Sequence, residues 1–303
     1  MSSPDSALNV WELEQTERSY QVRRSWIEFS PDTDHERGSS RPVLLAGVDV
    51  AWNREPLTAA LCLPGKRIDL EEYPTRHVPP YYSSFLAYRE APLVVPLVQR
   101  HRRDFDVLLV DGNGILHPRR YGLASAIGVE CGVRTIGVAK SYHWFANTGL
   151  SMLPNVPALL TLDPSLGRIR DPPWHGELYY RNEHEIRSVM EAENRLVLPL
   201  CMRWYPKRAE TSHTPAQSLS NRLNRDSPVP DFVDEVLGAA VRTGRRARNP
   251  VYVSVGHGID LDTAVTLVQA AAREHRLPEP LRLADQVARG TQPRTMSFPL
   301  PSP

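Results

Sequence analysis

The sequence predicts an α/β domain with a mixed central sheet flanked by helices. Two observations carry this. Apolar runs of strand length recur along the chain: PVLLAGVDVAW (42–52), DVLLVD (106–111), RTIGVAKS (134–141) and NPVYVSVGH (249–257). Helix-period segments alternate with them, most clearly DLDTAVTLVQAAAREH (260–275), with apolar residues at 261, 264, 265, 268 and 272. Strands alternating with helices in one chain build a layered α/β architecture.

Taken in order, residues 1–41 are polar and read as an irregular or partly helical lead-in. The run 42–52 is a buried strand interrupted by Asp49. TAALCLPG (58–65) is a second strand ending in a Pro-Gly turn. RHVPPYYSSFLAYREAPLVVPLVQRHRR (76–103) starts extended at its prolines and turns helical after Ser83 or Ser84, either of which suits an N-cap. Pro92 and Pro96 then predict a broken or restarted helix. ASAIGVE (124–130) suits a short helix. Asp260 or Asp262 caps the 260–275 helix, and Pro278 follows it. Between 150 and 234 the character changes. PNVPALLTLDPSLGRIRDPPWHG is rich in proline, LYYRNEHEIRSVMEAENRLVLPLCMRWY reads as two or three antiparallel strands, and the polar stretch up to Asp231 reads as a long loop.

The composition is that of an ordinary soluble globular protein, 41% hydrophobic and 23% charged over 303 residues. A net charge of +1 leaves no global field for nucleic acid or membrane, so any basic surface is local. Three separated cysteines, Cys62, Cys131 and Cys201, fit neither a disulfide framework nor a zinc knuckle, and suggest a reducing compartment. The first twenty residues lack the pattern of a signal peptide, and no apolar run is long enough to span a bilayer. The expectation is a cytoplasmic protein that meets no membrane.

Three carboxylates stand out by position. Asp49 lies inside an apolar strand, Asp111 ends another, and Glu90 opens a helix. Acidic groups in such places are costly to bury unpaired, and a divalent cation compensates them. Asp and Glu oxygens describe a Mg²⁺ or Mn²⁺ site, which suits phosphoryl chemistry. His257, in SVGHG, is a further ligand or acid–base group; Lys140, ending IGVAK, neutralises a phosphate or polarises a water. Each residue alone has a plainer reading: a turn or cap for Asp111, a solvated strand end for Lys140, a hydrogen-bonded loop histidine for His257. DGNGILHPRR is not a phosphate loop, since it matches no glycine-rich phosphate motif. Its glycines instead let backbone approach a ligand closely. Basic clusters at Arg100–Arg103, Arg119–Arg120 and Arg242–Arg248 are consistent with a phosphate-backbone footprint, although clusters this short are usually solvated turns.

In order, LLAGVDVAW, VPPYYSSFLAYREAP, LLVDGNGILHPRRYGLASAIGV, TIGVAKS, GAAVRTGRRARNPVYVSVGHGIDLDTAV and RLPEPLRLAD resemble the motifs of the endonuclease V family. The resemblance spans roughly 42–149 and 235–286. It implies an RNase H-like fold with a mixed five-stranded sheet. It also implies Mg²⁺- or Mn²⁺-dependent cleavage of the second phosphodiester 3′ to hypoxanthine in DNA and, in some members, RNA. By motif, Asp49, Glu90 and Asp111 would be the catalytic, metal-holding carboxylates, with Lys140 and His257 assisting. Tyr81 would be the wedge that fills the gap left by the extruded base. Leu86, Gly112, Asn113, Gly114, His117 and Gly122 fall in blocks that line the base pocket.

Two departures from the family pattern matter. Tyr82-Ser83-Ser84 replaces the usual Ile-Pro-Gly after the wedge tyrosine, changing its stiffness. Asn113 stands where many bacterial members have His and eukaryotic members have Asn, which raises an inosine-specific endoribonuclease beside the deoxyinosine endonuclease. A third possibility is a protein that binds inosine-containing nucleic acid without cutting. The expected organisation is a lead-in (1–41), a catalytic domain (42–149 and 235–290), a family-atypical insertion (150–234) and a disordered tail (291–303). The basic end of the insertion, Arg203 to Arg225, either extends the nucleic-acid footprint or is a solvated loop.

Overall fold

The computed structural model describes residues 4–24, 42–53, 55–142, 174–206, 233–245 and 247–291. Its helices are α1 (Pro4–Ser19), α2 (Leu86–His101), α3 (Leu123–Cys131), α4 (Glu183–Ala192), α5 (Leu261–Ala271) and α6 (Glu279–Ala288). Its strands are β1 (Leu45–Ala51), β2 (Leu57–Cys62), β3 (Ile68–Tyr73), β4 (Val107–Val110), β5 (Arg134–Ala139), β6 (Trp174–Leu178), β7 (Val197–Pro206), β8 (Val233–Val241) and β9 (Val251–His257).

Among the described residues, nine strands form one mixed sheet in the order β3-β2-β1-β4-β5-β9-β8-β7-β6. β1, β4 and β5 run parallel at its centre, and β2 and β3 continue antiparallel from β1. These five strands are the RNase H-like core; β9 to β6 extend it antiparallel beyond β5. The central strands are buried on both faces, which is why their sequences read as continuous apolar runs. Strand alternation then divides the core. Val48, Val50, Leu108 and Val110 pack with Leu97, Val98 and Ile127 of α2 and α3. On the other face, Val107 and Leu109 pack with α5 and Leu281, and Ala51 and Ala60 with Ala284 of α6. Among the described residues no helix is long and apolar enough to cross a membrane.

Three local expectations change. The residue that opens α2 is Phe85, and neither Ser83 nor Ser84 caps it; Ser84 instead holds a left-handed backbone, φ 67°. α2 is not broken at Pro92 and Pro96. Each proline costs roughly 3 kcal/mol in a helix interior. Both prolines are exposed, while Ala87, Ala91, Leu93, Val94, Leu97 and Val98 are buried on the sheet, and that burial outweighs the cost. The segment after β6 holds a helix where strands were expected. Asn182 caps α4 by accepting from the Glu185 amide, and Ile186 and Met190 are buried one turn apart. β6 and β7 are antiparallel strands, so part of 150–234 extends the central sheet. The expected long loop and the C-terminal tail fall almost wholly outside the described residues.

Candidate active site

Gly47 of β1 positions the site. A Cβ there would lie 2.4 Å from the Leu281 nitrogen and from the Pro280 carbonyl carbon, so only glycine lets α6 rest directly on β1. Two residues on, Asp49 faces the same side of the sheet. Four residues past Leu281, α6 brings Asp285 to it. Asp111 follows β4, where Val48 pairs with Val110, and its amide donates to the Val48 carbonyl at 3.2 Å. Oxygens of Asp49, Asp111 and Asp285 all lie within 4.8 Å of one another.

Lys140, one residue past β5, donates to Asp111 Oδ2 at 2.5 Å and to Asp285 Oδ1 at 2.8 Å, with Asp49 Oδ2 at 3.9 Å. Arg289 also reaches Asp285, at 3.0 Å. Glu90, buried on α2, accepts from Trp52 Nε1 at 2.5 Å. Burial and the neighbouring Asp111 charge push Asp49 up to about 9, against the pull of Lys140. Burial also pushes Glu90 up to about 8; Trp52 lowers it and Asp111 raises it further. Asp285 moves the other way. Burial raises it, but Lys140 and a hydrogen bond with Asp49 hold it below the usual carboxylate range. Lys140 is disfavoured by burial yet held above its ordinary value by Asp111 and Asp49.

Asp49 and Glu90 are pushed toward their protonated forms by burial first and by the Asp111 charge second. Three hard oxygen donors at this spacing fit a divalent cation of the Mg²⁺ or Mn²⁺ kind. The geometry thus gathers Asp49, Asp111 and Lys140, with Glu90 close enough to feel Asp111. Asp285 was missed at the level of sequence. Its signal is an acid on the buried stripe of an amphipathic helix, between Leu281 and Ala288.

Beside this cluster, across Gly112, a recess of about 70 Å³ is lined by Tyr81, Ser84, Leu86, Ala87, Gly112, Asn113, His117, Gly122 and Leu123. Tyr81, at its mouth, is 60% exposed. The Asn113 Oδ1 atom is buried with no hydrogen-bond partner among the described residues. His117 Nε2 lies 2.9 Å from the Ser84 carbonyl, and its Nδ1 accepts from the Arg119 amide, which assigns the Nε2–H tautomer.

Other expected members lie elsewhere. A Cβ on Gly114 would sit 1.9 Å from the Val255 carbonyl oxygen, so its missing side chain admits the protein's own β9 rather than a ligand. His257 pairs with Thr135 at the start of β5, whereas Lys140 lies past its end. Five residues of strand separate those levels, about 17 Å, which puts His257 out of reach of the carboxylates. Its Nδ1 instead accepts from the Arg23 amide at 3.3 Å. Arg119 and Arg120 are not a phosphate footprint. Both are buried: Arg119 binds Gln15 and Ser84, and Arg120 binds the His117 carbonyl and Glu235.

The sequence profile of the Endonuclease V family matches residues 29–159 and 209–286. The chain belongs to the endonuclease V family. Endonuclease V of Roseiflexus sp. is 30% identical over 80% of this chain and 80% of its own. The crystal structure of human endonuclease V is 25% identical with TM-score 0.59, covering 94% of this chain and 97% of that one. Endonuclease V of Ciona intestinalis, in complex with a 24mer DNA containing an inosine followed by a ribo-adenosine, shares the fold at TM-score 0.61 and 23% identity, over 94% and 98%. As an endonuclease V this protein is a nuclease acting on phosphodiester bonds. The family profile leaves 160–208 unmatched, the stretch that contributes β6, α4 and β7.

Proposed function

We propose that this chain is a metal-dependent DNA-repair endonuclease. It cuts the second phosphodiester bond 3′ to deoxyinosine and leaves 5′-phosphate and 3′-hydroxyl ends. The observation that carries this is the junction at Asp111 and Gly112, where one loop joins the carboxylate cluster to a recess suited to a base. Asp49, Asp111 and Asp285 would hold Mg²⁺, with Mn²⁺ as substitute and Glu90 in support. Bound there, such an ion supplies an acidified water and offsets charge on the phosphate under attack.

The chain's own groups do the rest. Glu90, beside Asp111, would support the ion or its water; the water adds to phosphorus in line and gives its proton to solvent, and the 3′-oxygen leaves and takes a proton from solvent. Lys140 holds Asp111 and Asp285 in register and adds positive charge near the scissile phosphate. Tyr81 enters the stack where the base has left it, and the recess takes the extruded base against Leu86, Gly112 and Gly122. We retain 42–149 with 235–290 as the catalytic domain, and 150–234 as an insertion whose described strands β6 and β7 form the far edge of the sheet.

A nicking assay on a duplex with one deoxyinosine, with and without Mg²⁺, tests this. Cleavage that persists in Asp49→Ala and Asp111→Ala proteins would overturn it. A second reading, cleavage next to a ribonucleotide, is favoured by the inosine and ribo-adenosine strand bound to the Ciona relative. Equal amounts of all-DNA, all-RNA and single-ribonucleotide substrates rank the two.

A further inference from the structure

Helix α1 lies outside the carboxylate cluster and contributes no residue to the lining of the recess. Its contacts nevertheless fall on the walls of that recess. Gln15 is fully buried. Its Nε2 donates to the Ser84 carbonyl at 3.2 Å and to the Tyr121 carbonyl at 3.3 Å. Its Oε1 accepts from Arg119 Nε at 2.6 Å. One side chain therefore ties the turn after Tyr81 to the end of the 111–122 loop, the two segments that face each other across the recess.

The Ser84 carbonyl is the hub. It receives Gln15, Arg119 Nη2 at 3.0 Å and His117 Nε2 at 2.9 Å. Ser84 holds φ 67°, a conformation that disfavours a side chain, at the position where the family pattern has glycine. The three donors hold a backbone that the residue itself would leave. Trp11, one turn before Gln15, stacks on Tyr88 at 4.7 Å and meets the edges of Tyr82 and Phe85. Tyr88 Oη donates back to the Trp11 carbonyl at 3.0 Å. Beyond α1, the Arg23 amide and carbonyl are clasped by His257 Nδ1 and the Gly258 amide.

We propose that α1 is a brace for base recognition, and that Gln15 is its positioning residue. Gln15 fixes the Ser84 turn, and with it Tyr81 and the recess wall, for an extruded base. This rests on the inosine-directed reading above. Its consequence is a split between binding and chemistry. With one or two buried hydrogen bonds lost, Gln15→Ala raises the KM for a deoxyinosine duplex by about tenfold. It leaves kcat within about twofold, because the carboxylates are untouched. Gln15→Glu keeps an acceptor for Arg119 but sets a carboxylate against the carbonyls of Ser84 and Tyr121, so its KM rises at least as far. Trp11→Leu, acting one turn earlier on the same face of α1, moves KM in the same direction.

Hydrogen exchange on the full chain gives a readout that needs no substrate. Gln15→Ala speeds amide exchange in 82–88 and 112–122 but not in β1 and β4. If Gln15→Ala unfolds, Trp11→Leu carries both measurements. An unchanged KM with unchanged exchange in a folded variant overturns the brace, as does a loss of kcat at constant KM. A parent protein that fails to cut deoxyinosine DNA overturns the functional reading instead, and the exchange pattern still decides the brace.

Discussion

Gly47 and Leu281 approach so closely that a Cβ on the glycine would lie 2.4 Å from the Leu281 nitrogen. This contact sets the height of α6 above β1 and so the distance from Asp285 to Asp49. Gly47→Ala forces backbone against backbone, at a cost of about 1–3 kcal/mol, the usual range for overpacking. The expected outcome is a lower melting temperature together with a higher Mg²⁺ concentration for half-maximal cleavage. A variant that melts lower but keeps its Mg²⁺ requirement would separate α6 placement from the site.

Asp49, Asp111 and Asp285 repel one another, and Asp49 already prefers its proton. Neutralising one removes a ligand and relieves that repulsion. Asp49→Asn is expected to lose cleavage by about a thousandfold or more while melting no lower than the parent in EDTA, because its charged form is the disfavoured one there. Differential scanning fluorimetry beside a nicking assay checks both halves. Loss of activity that follows loss of folding would assign Asp49 a structural role.

Glu235 carries a pH dependence whose sign follows from its partners. Burial alone would raise its pKa, but Arg120 and Arg24 outweigh this and bring it from the ordinary 4.5 to about 2. A carboxyl whose folded pKa is depressed favours the folded state in its charged form. The stabilisation is complete above about pH 5 and drains as pH falls toward 2, by up to about 3 kcal/mol. Glu235→Gln should flatten that limb of the stability curve and lower stability at neutral pH, since the buried Arg120 loses the carboxylate of its ion pair. Urea melts at pH 7, 5 and 3 read this directly.

His257 lies at the wrong end of β5 to meet the carboxylates, and it holds the chain after α1. His257→Ala is expected to cost about 1 kcal/mol of stability, the scale of a single hydrogen bond. The kcat of the folded fraction should stay within about threefold. His257→Asn retains an acceptor and should recover most of the loss. A hundredfold fall in kcat at unchanged stability would place His257 in the chemistry after all.

Much of this protein was determined by its sequence alone. Continuous apolar runs of strand length placed β1, β4, β5 and β9, and helix spacing placed α5, because burial of those segments is a local property of the chain. The acids that interrupt or end these strands, Asp49 and Asp111, were visible because an unpaired charge in or beside an apolar run is costly to bury. The motif resemblance added Glu90, Tyr81 and the blocks that line the recess. Where the signal was local but faint, it went unread, as with the Asn182 cap of α4.

What only the tertiary structure decided depends on which segments meet. Asp285 joins the site because α6 rests on a glycine more than two hundred residues earlier. His257 leaves it because an antiparallel register puts the end of β9 beside the beginning of β5. Arg119 and Arg120 read as surface charge in sequence, yet they are buried because Gln15 and Glu235 arrive from distant elements to receive them. α2 survives two prolines because the sheet covers its other face. The physical reason is common to all four. Apolar periodicity reports how one segment buries itself, whereas a polar group's fate depends on partners brought by non-local packing, which no sequence window contains.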